Sequence, residues 1–346
     1  MMVLMWIHIF HNQYNQISDG DIQVLQSNHI TSNGNIKIVA FSDVTYSDLA
    51  FSWYDQLTAL GYTHHVVLAM DEETLSKGKQ RQRNIRIEPY FTEKESLRNL
   101  WYRRIQYLKE QISNGTSVLL TDVDNIFLRF LDIQQEFYNT DFDIIFAHEM
   151  KFPVPLWKKY GFVTCAGMIW FKATDNSLAF LNMWENVCLE SGTKGTMKCN
   201  DQIALNTVLH EQIMMTWEYD QEDIKKQKSI RIQSNDENNE LVQVGMIGKG
   251  RHDVSTDGKF RNFSVRILSR DLAWRGRLPS DHCPSVENNW VAMPTSLPFK
   301  YSMKSKIEDK LLMWKFWIKY CGRQGTNWNR DTITDPIQAA IEKVQQ

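Results

Sequence analysis

The sequence predicts an α/β fold, with a mixed, mainly parallel sheet flanked by helices in a single large domain. Three observations predict it. Apolar runs of strand length, such as residues 36–43 ("IKIVAFSD") and 64–71 ("HHVVLAMD"), lack the alternation of a sheet with one wet face, which implies strands covered on both sides. A helical stripe separates these runs, giving the strand, helix, strand order of a parallel unit. With 346 residues, 42% of them hydrophobic, the chain can bury a sizeable core.

The elements follow in order. Residues 1–10 ("MMVLMWIHIF") are apolar, but a membrane span needs about 20 such residues. A signal peptide would add a basic lead and a small-residue cleavage site. The stretch reads either as the remnant of a longer anchor or as a short packed strand, and no anchor is evident. Polar residues 11–34 complete a lead-in over 1–35, followed by the main domain over 36–320 and a tail over 321–346. After the first strand, Leu49, Trp53, Leu57 and Leu60 share one helical face, with Ser47 as expected N-cap and Gly61 as C-cap. Residues 76–86 ("SKGKQRQRNIR") carry five basic side chains and no acid. They read as a solvated loop, or as a flap that meets a polyanion.

Residues 94–115 form a strong helix with an apolar stripe of Leu97, Leu100, Trp101, Ile105, Leu108 and Ile112, ended by Asn114-Gly115. Arg104 falls on that stripe, so it must meet an anion or snorkel to water. Strands are expected at 117–121, 142–149 and 166–173, and helices at 176–191 and 201–212. Residues 218–240 read as a polar excursion, and 263–269 alternate like an edge or antiparallel strand. An amphipathic segment spans 306–320.

Charge and cysteine content narrow the function. A formal charge of −2, from 39 basic and 41 acidic residues, gives no global field for nucleic acid or an anionic membrane. Five scattered cysteines form neither a disulfide framework nor a C-x-x-C metal or redox site. The sequons at Asn114 and Asn262 match what chance supplies, about two in such a chain.

Three Asp-x-Asp triplets occur, at Asp19/Asp21, Asp122/Asp124 and Asp141/Asp143. In a parallel α/β sheet, ligands bind beyond the carboxyl ends of the strands. Only Asp122 and Asp124 leave a strand there, since Asp19/Asp21 flank a turn glycine and Asp141/Asp143 precede their strand. Two residues apart in extended chain, they would face one side and one hard cation, Mg²⁺ or Mn²⁺, which brings phosphate oxygens with it. The bland alternative is that they cap the next element. A calcium loop lacks its turn glycine after Asn125. A phosphoaspartyl phosphatase also uses Asp-x-Asp after a strand, but its site opens the fold, and Ile126 stands where it carries Thr or Val.

The ordered segments "LWYRRIQYLKEQISNGTSVLLTDVDNIFLR", "TCAGMIWFKATDNSLAFLNMWE" and "NDQIALNTVL" resemble the nucleotide-diphospho-sugar transferase family, which includes retaining arabinosyl- and xylosyltransferases of the GT-A fold. The resemblance covers residues 36–215 well and the rest loosely. It implies a GT-A, Rossmann-like sheet and a glycosyltransferase that moves a sugar from a nucleotide-diphosphate donor, UDP-linked by preference, to a glycan or glycoprotein hydroxyl with retention. In it, Asp122 and Asp124 match the metal pair, Asp122 also turning to the donor's ribose or sugar and Asp124 ligating directly. Arg104 matches a basic residue facing the phosphates or the metal-site carboxylates. Gly167 matches a close backbone approach to the sugar, with Cys165 where the family has Asn. Asp201 and Gln202 match the catalytic pair lining the sugar pocket; helix capping by Asn200 and Asp201 is the alternative. Asp43 matches a base or ribose contact, with Asp71 given a turn role. His282 is the candidate third metal ligand, although Met293-Pro294 occupies the family's His position, and Lys304 or Lys306 matches a diphosphate contact. The family points to the Golgi lumen, whereas the lack of a signal or anchor leaves the cytoplasm open. A phosphatase and a catalytically inactive carbohydrate-binding protein are the alternatives from other classes.

Overall fold

The computed structural model describes residues 35–81, 85–90, 97–149, 151–193, 200–221, 246–253, 260–270, 272–276 and 289–294. The helices are α1 (Ser47–Ala59), α2 (Glu72–Gln80), α3 (Leu97–Ser113), α4 (Val154–Tyr160), α5 (Asp175–Thr193) and α6 (Asp201–Thr207), the last continuing as a π-helical turn over Val208–Gln212. Strands β1 (Ile36–Ser42), β2 (His65–Ala69), β3 (Ile87–Pro89), β4 (Ser117–Thr121), β6 (Ile144–Glu149), β7 (Val163–Phe171), β8 (Met214–Tyr219), β9 (Met246–Asp253) and β10 (Phe260–Ile267) form one sheet in the order β3-β2-β1-β4-β7-β6-β10-β9-β8. Strands β1 to β4, β6, β8 and β10 run one way, and β7 and β9 run against them. A second sheet joins β5 (Ile126–Phe127), β12 (Val291–Pro294) and β11 (Ala273–Gly276). The mixed, mainly parallel α/β architecture expected from the sequence is therefore present.

Alternate residues of the buried strands feed two cores. Ile38, Ala40, Val67 and Leu119 pack on one face with Leu49, Trp53 and Leu57 of α1. Val39, Val66, Leu68, Val118 and Leu120 pack on the other with Ile105, Leu108 and Ile112 of α3 and Phe180, Leu181 and Trp184 of α5. This period of two, apolar on both sides, is why the strands read as unbroken hydrophobic runs. Full burial of a side chain such as Leu57 contributes about 1.5–3 kcal/mol.

Several local expectations change. Ser47 is not the N-cap of α1. Asp43 caps a preceding 3-10 turn, accepting the Tyr46 N–H at 3.1 Å, and that turn runs straight into the helix. Gly61 closes α1 with φ +90°, as expected. Residues 76–80 of the expected basic loop are helical, belonging to α2. Asp71 caps this helix, accepting the Thr74 N–H at 2.7 Å. The missed signals are this cap, the Glu72-Glu73 first turn, and Gly78, where a Cβ would stand 2.7 Å from Ile87 Cδ1. Lys77 pairs with Glu73, Arg81 with Asp55, and Arg86 with Glu88, so the segment's partners come from outside its own sequence. The segment at 263–269 alternates and pairs antiparallel with β9, as expected, but it is not an edge, since β6 pairs with it in parallel on its other side. Cys188 on α5 is disulfide-bonded, whereas Cys165 is a free, buried thiol.

Candidate active site

The site begins where β4 ends. Val118, Leu119 and Leu120 are fully buried, and the strand stops at Thr121. Residues 122–125 then form a turn, closed by the Asn125 N–H donating to the Asp122 carbonyl at 3.2 Å. An extended chain is thus not what aims the two carboxylates. The turn buries Val123 and leaves Asp122 and Asp124 half-buried on its open side. Buried Asn125 pins it by donating from Nδ2 to Thr121 Oγ1 at 2.9 Å and to the Gly167 carbonyl at 2.8 Å.

The opposite wall comes from a bulge in β7. Phe146 pairs with Ile169, but the next residue, Ala147, pairs with Cys165, so Ala166, Gly167 and Met168 are extra on the β7 side. Such an insertion bends a strand and re-aims its backbone. Here it presents the Gly167 carbonyl to the Asp122 N–H at 2.8 Å and the Ala166 carbonyl to Arg104 Nη2 at 3.1 Å. Gly167 also has a steric role, since a Cβ on it would stand 2.4 Å from Asp122 Oδ2. Its missing side chain makes room for the acidic turn itself.

Arg104 joins the parts. It sits on the buried stripe of α3, 8% exposed, and meets Asp122 Oδ1 at 3.2 Å with Nη2 and Asp201 Oδ2 at 3.5 Å with Nη1. A buried guanidinium needs such anions, and a planar fork can serve two at once. The anion expected for this residue is therefore a pair of carboxylates, one from the turn after β4 and one from the head of α6.

Asn200 caps α6 by accepting the Ile203 N–H at 3.0 Å, which leaves the 8%-exposed Asp201 to turn toward Arg104 and accept the Gln202 N–H at 2.8 Å. Gln202 is held on every side. Its Nε2 donates to Glu149 Oε2 at 3.0 Å and to the Phe152 carbonyl at 2.9 Å, and its Oε1 accepts the Ala166 N–H at 3.3 Å. Both amide protons are used, so Gln202 acts as a strut between β6, the bulge and α6. Glu149 closes β6, is 4% exposed, and pairs through the same Oε2 with Arg275 Nη2 on β11. Burial works against the Arg275 charge, but the carboxylates of Glu149, which also hydrogen-bonds it, and of Asp124 draw its pKa above the ordinary arginine range. Neither Glu149 nor Arg275 stood out in the sequence. The only signal was an acid at the carboxyl end of an apolar strand.

Burial pushes the Cys165 thiol up to about 12, so it stays neutral, and its Sγ accepts the Gly167 N–H at 3.3 Å. Asp43 and Asp71 stand at the carboxyl ends of β1 and β2, where Asp71 Oδ2 also accepts the Val44 N–H at 2.8 Å. Asp143, at the amino end of β6, accepts from Thr174, Asn176 and Ser264, a structural tie remote in role from the acidic turn. His282 and Lys304 lie outside the described residues.

Two carboxylates in one half-open turn suit a hard cation that completes its shell with water and ligand oxygens, as Mg²⁺ does. Among the described residues no group of three or more His, Cys, Asp or Glu could hold a metal ion.

Against known proteins, a family model described as nucleotide-diphospho-sugar transferase matches residues 60–308, more than half of the chain. No curated protein matches. Among solved structures, the chain is similar to one titled as the apo structure of the bifunctional glycosyltransferase WbbM, with 8% identity and a TM-score of 0.36 over 51% of this chain. The chain spans 37% of that structure's length.

Proposed function

Because the chain belongs to the nucleotide-diphospho-sugar transferase family, we propose that it is a glycosyltransferase moving a sugar from a nucleotide-diphosphate donor, UDP-linked by preference, to a glycan or glycoprotein hydroxyl with retention. The observation that carries this reading is Arg104, which gathers Asp122 and Asp201 at the carboxyl edge of the sheet, where α/β folds bind nucleotides.

Asp122 and Asp124 would hold Mn²⁺ or Mg²⁺, which when bound supplies positive charge against the departing diphosphate. Arg104 fixes the Asp122 carboxylate on one side and Asp201 on the other, so both are oriented before the donor arrives. Asp201, charged and anchored by the Gln202 N–H, faces the sugar as its anomeric centre becomes positive. Gln202 serves this by positioning Asp201 and the bulge. Asp43, at the carboxyl end of β1, would contact the base or ribose, and Lys304 and His282 would add phosphate and metal contacts.

The disulfide at Cys188 supports an oxidising secretory compartment such as the Golgi lumen. No helix among the described residues is long and apolar enough to cross a membrane.

A thermal-shift screen of UDP, GDP and CMP, each with and without Mn²⁺, tests the reading. One nucleotide should stabilise the protein only with Mn²⁺, and Asp124→Asn should abolish the shift. Stabilisation by none of the three, or a shift indifferent to both metal and Asp124→Asn, overturns it.

A further inference from the structure

The chain from residue 151 through α4 has no role above, yet it is tied to the site. The Phe152 carbonyl accepts from Gln202 Nε2 at 2.9 Å, one residue along from Asp201, while Phe152 and Val154 are each left 45% exposed. Val154, Trp157 and Lys158 share one face of α4, at spacings of three and four. Leu156, buried, and Tyr160, stacked on His210, serve its packing instead. The exposed Lys151 stands 4.9 Å over the Trp157 ring, which holds its ammonium at the same face. Lys158 is also exposed, whereas Lys159 is paired with Glu211 at 3.0 Å. The sequence has no acid from 150 to 174, and Glu149 is buried against Arg275, so the local charge is positive.

We propose that Lys151, Phe152, Val154 and Lys158 form the acceptor site, and that it takes a glycan whose sugars carry carboxylates. This rests on the glycosyl-transfer reading above and names the acceptor class that reading leaves open. The C–H face of a sugar ring, slightly positive, rests on the negative face of Phe152 and on the Val154 methyls. The two ammonium groups meet the carboxylates and discriminate against neutral chains. The bond from Gln202 to the Phe152 backbone fixes this surface next to Asp201, so a sugar seated on it directs its neighbour's hydroxyl to the reacting centre.

The test is calorimetric titration of the whole chain with a tetramer of galacturonate, a hyaluronan tetrasaccharide, neutral maltotetraose and a short polyglutamate. One acidic tetramer should bind about tenfold more tightly than either maltotetraose or polyglutamate. Lys151→Gln/Lys158→Gln should weaken it about tenfold and reduce its salt dependence. Phe152→Ala should weaken it roughly fivefold. The double lysine variant should keep the Mn²⁺-dependent nucleotide shift of wild type, which shows that it is folded and that the donor side is intact. Binding of neither acidic tetramer, equal binding of polyglutamate or maltotetraose, or undiminished binding by the lysine variant overturns the acceptor site, while the nucleotide shift leaves the transferase reading standing. If an acidic tetramer binds through these residues but no nucleotide shifts the protein, the transferase reading fails and the acceptor role with it, leaving a surface that only binds acidic glycan.

Discussion

At Gly167 the missing side chain is the functional feature. A methyl group there would stand 2.4 Å from Asp122 Oδ2 and 3.1 Å from Asp122 Cγ, so either the acidic turn or the bulge must move. Gly167→Ala should therefore weaken Mn²⁺-dependent nucleotide binding about tenfold, read by calorimetry. Gly61→Ala is the matched control. Its φ is +90° with nothing within 4 Å, so it should cost about 1 kcal/mol of stability and leave binding unchanged. Equal binding by Gly167→Ala and wild type would contradict the steric account. Residues of this kind differ in how far the sequence reveals them. Arg104 was legible because a charge on an apolar stripe needs a buried anion. The saturation of Gln202 was not, since its partners Glu149, Phe152 and Ala166 lie 53, 50 and 36 residues away in the chain.

Among the elements, the active-site wall depends on how α6 grips the bulged half of β7. Asn206 is fully buried and makes this grip. Its Oδ1 accepts the Thr164 N–H at 2.7 Å, and its Nδ2 donates to the Thr164 carbonyl at 2.9 Å. Thr164 stands opposite His148 of β6, and β4, on the other side of β7, pairs only with Met168 to Phe171, so Asn206 bonds backbone that no strand among the described residues reaches on that side. Asn206→Ala strands a buried N–H and C=O, and should cost roughly 2–4 kcal/mol in chemical denaturation. Asn206→Asp keeps the acceptor but sets a buried carboxylate oxygen against the Thr164 and Gln202 carbonyls, so it should lose at least as much; a much smaller loss would mean that the amide's donor side is not what holds the elements together. Long elements with a strong period, such as α3 and α5, were legible from the sequence. Short ones were not. β3, β5 and β11 have two to four residues each, and their pairing is decided by distant chain. The bulge left a single sequence signal, a glycine inside a strand.

For the molecule as a whole, burial of neutral rings sets the dependence of stability on pH. His65 is 3% exposed, donates to or accepts from Thr58 Oγ1 at 3.0 Å, and packs on Tyr54 and Trp53. Burial lowers its pKa from 6.5 to about 4, and His210, stacked on Tyr160, is lowered to about 4 for the same reason. A folded-state pKa below the unfolded one means that the unfolded chain binds more protons between the two values. The contribution is therefore fully present above 6.5 and is lost as pH falls toward about 4. At the alkaline end, burial raises Tyr62 from 10.0 to about 12, so stability is lost again as pH rises through that interval. Between these limits the stability curve should be flat. By about pH 5, His65 alone should cost on the order of 2 kcal/mol, roughly 3 °C in Tm for a chain of this size. Calorimetric melting from about pH 7.5 to about pH 5 reads this directly. The double variant His65→Gln/His210→Gln, although less stable at neutral pH, should melt with a visibly shallower acid slope. An unchanged slope would move the acid sensitivity away from these two rings and onto the carboxylates.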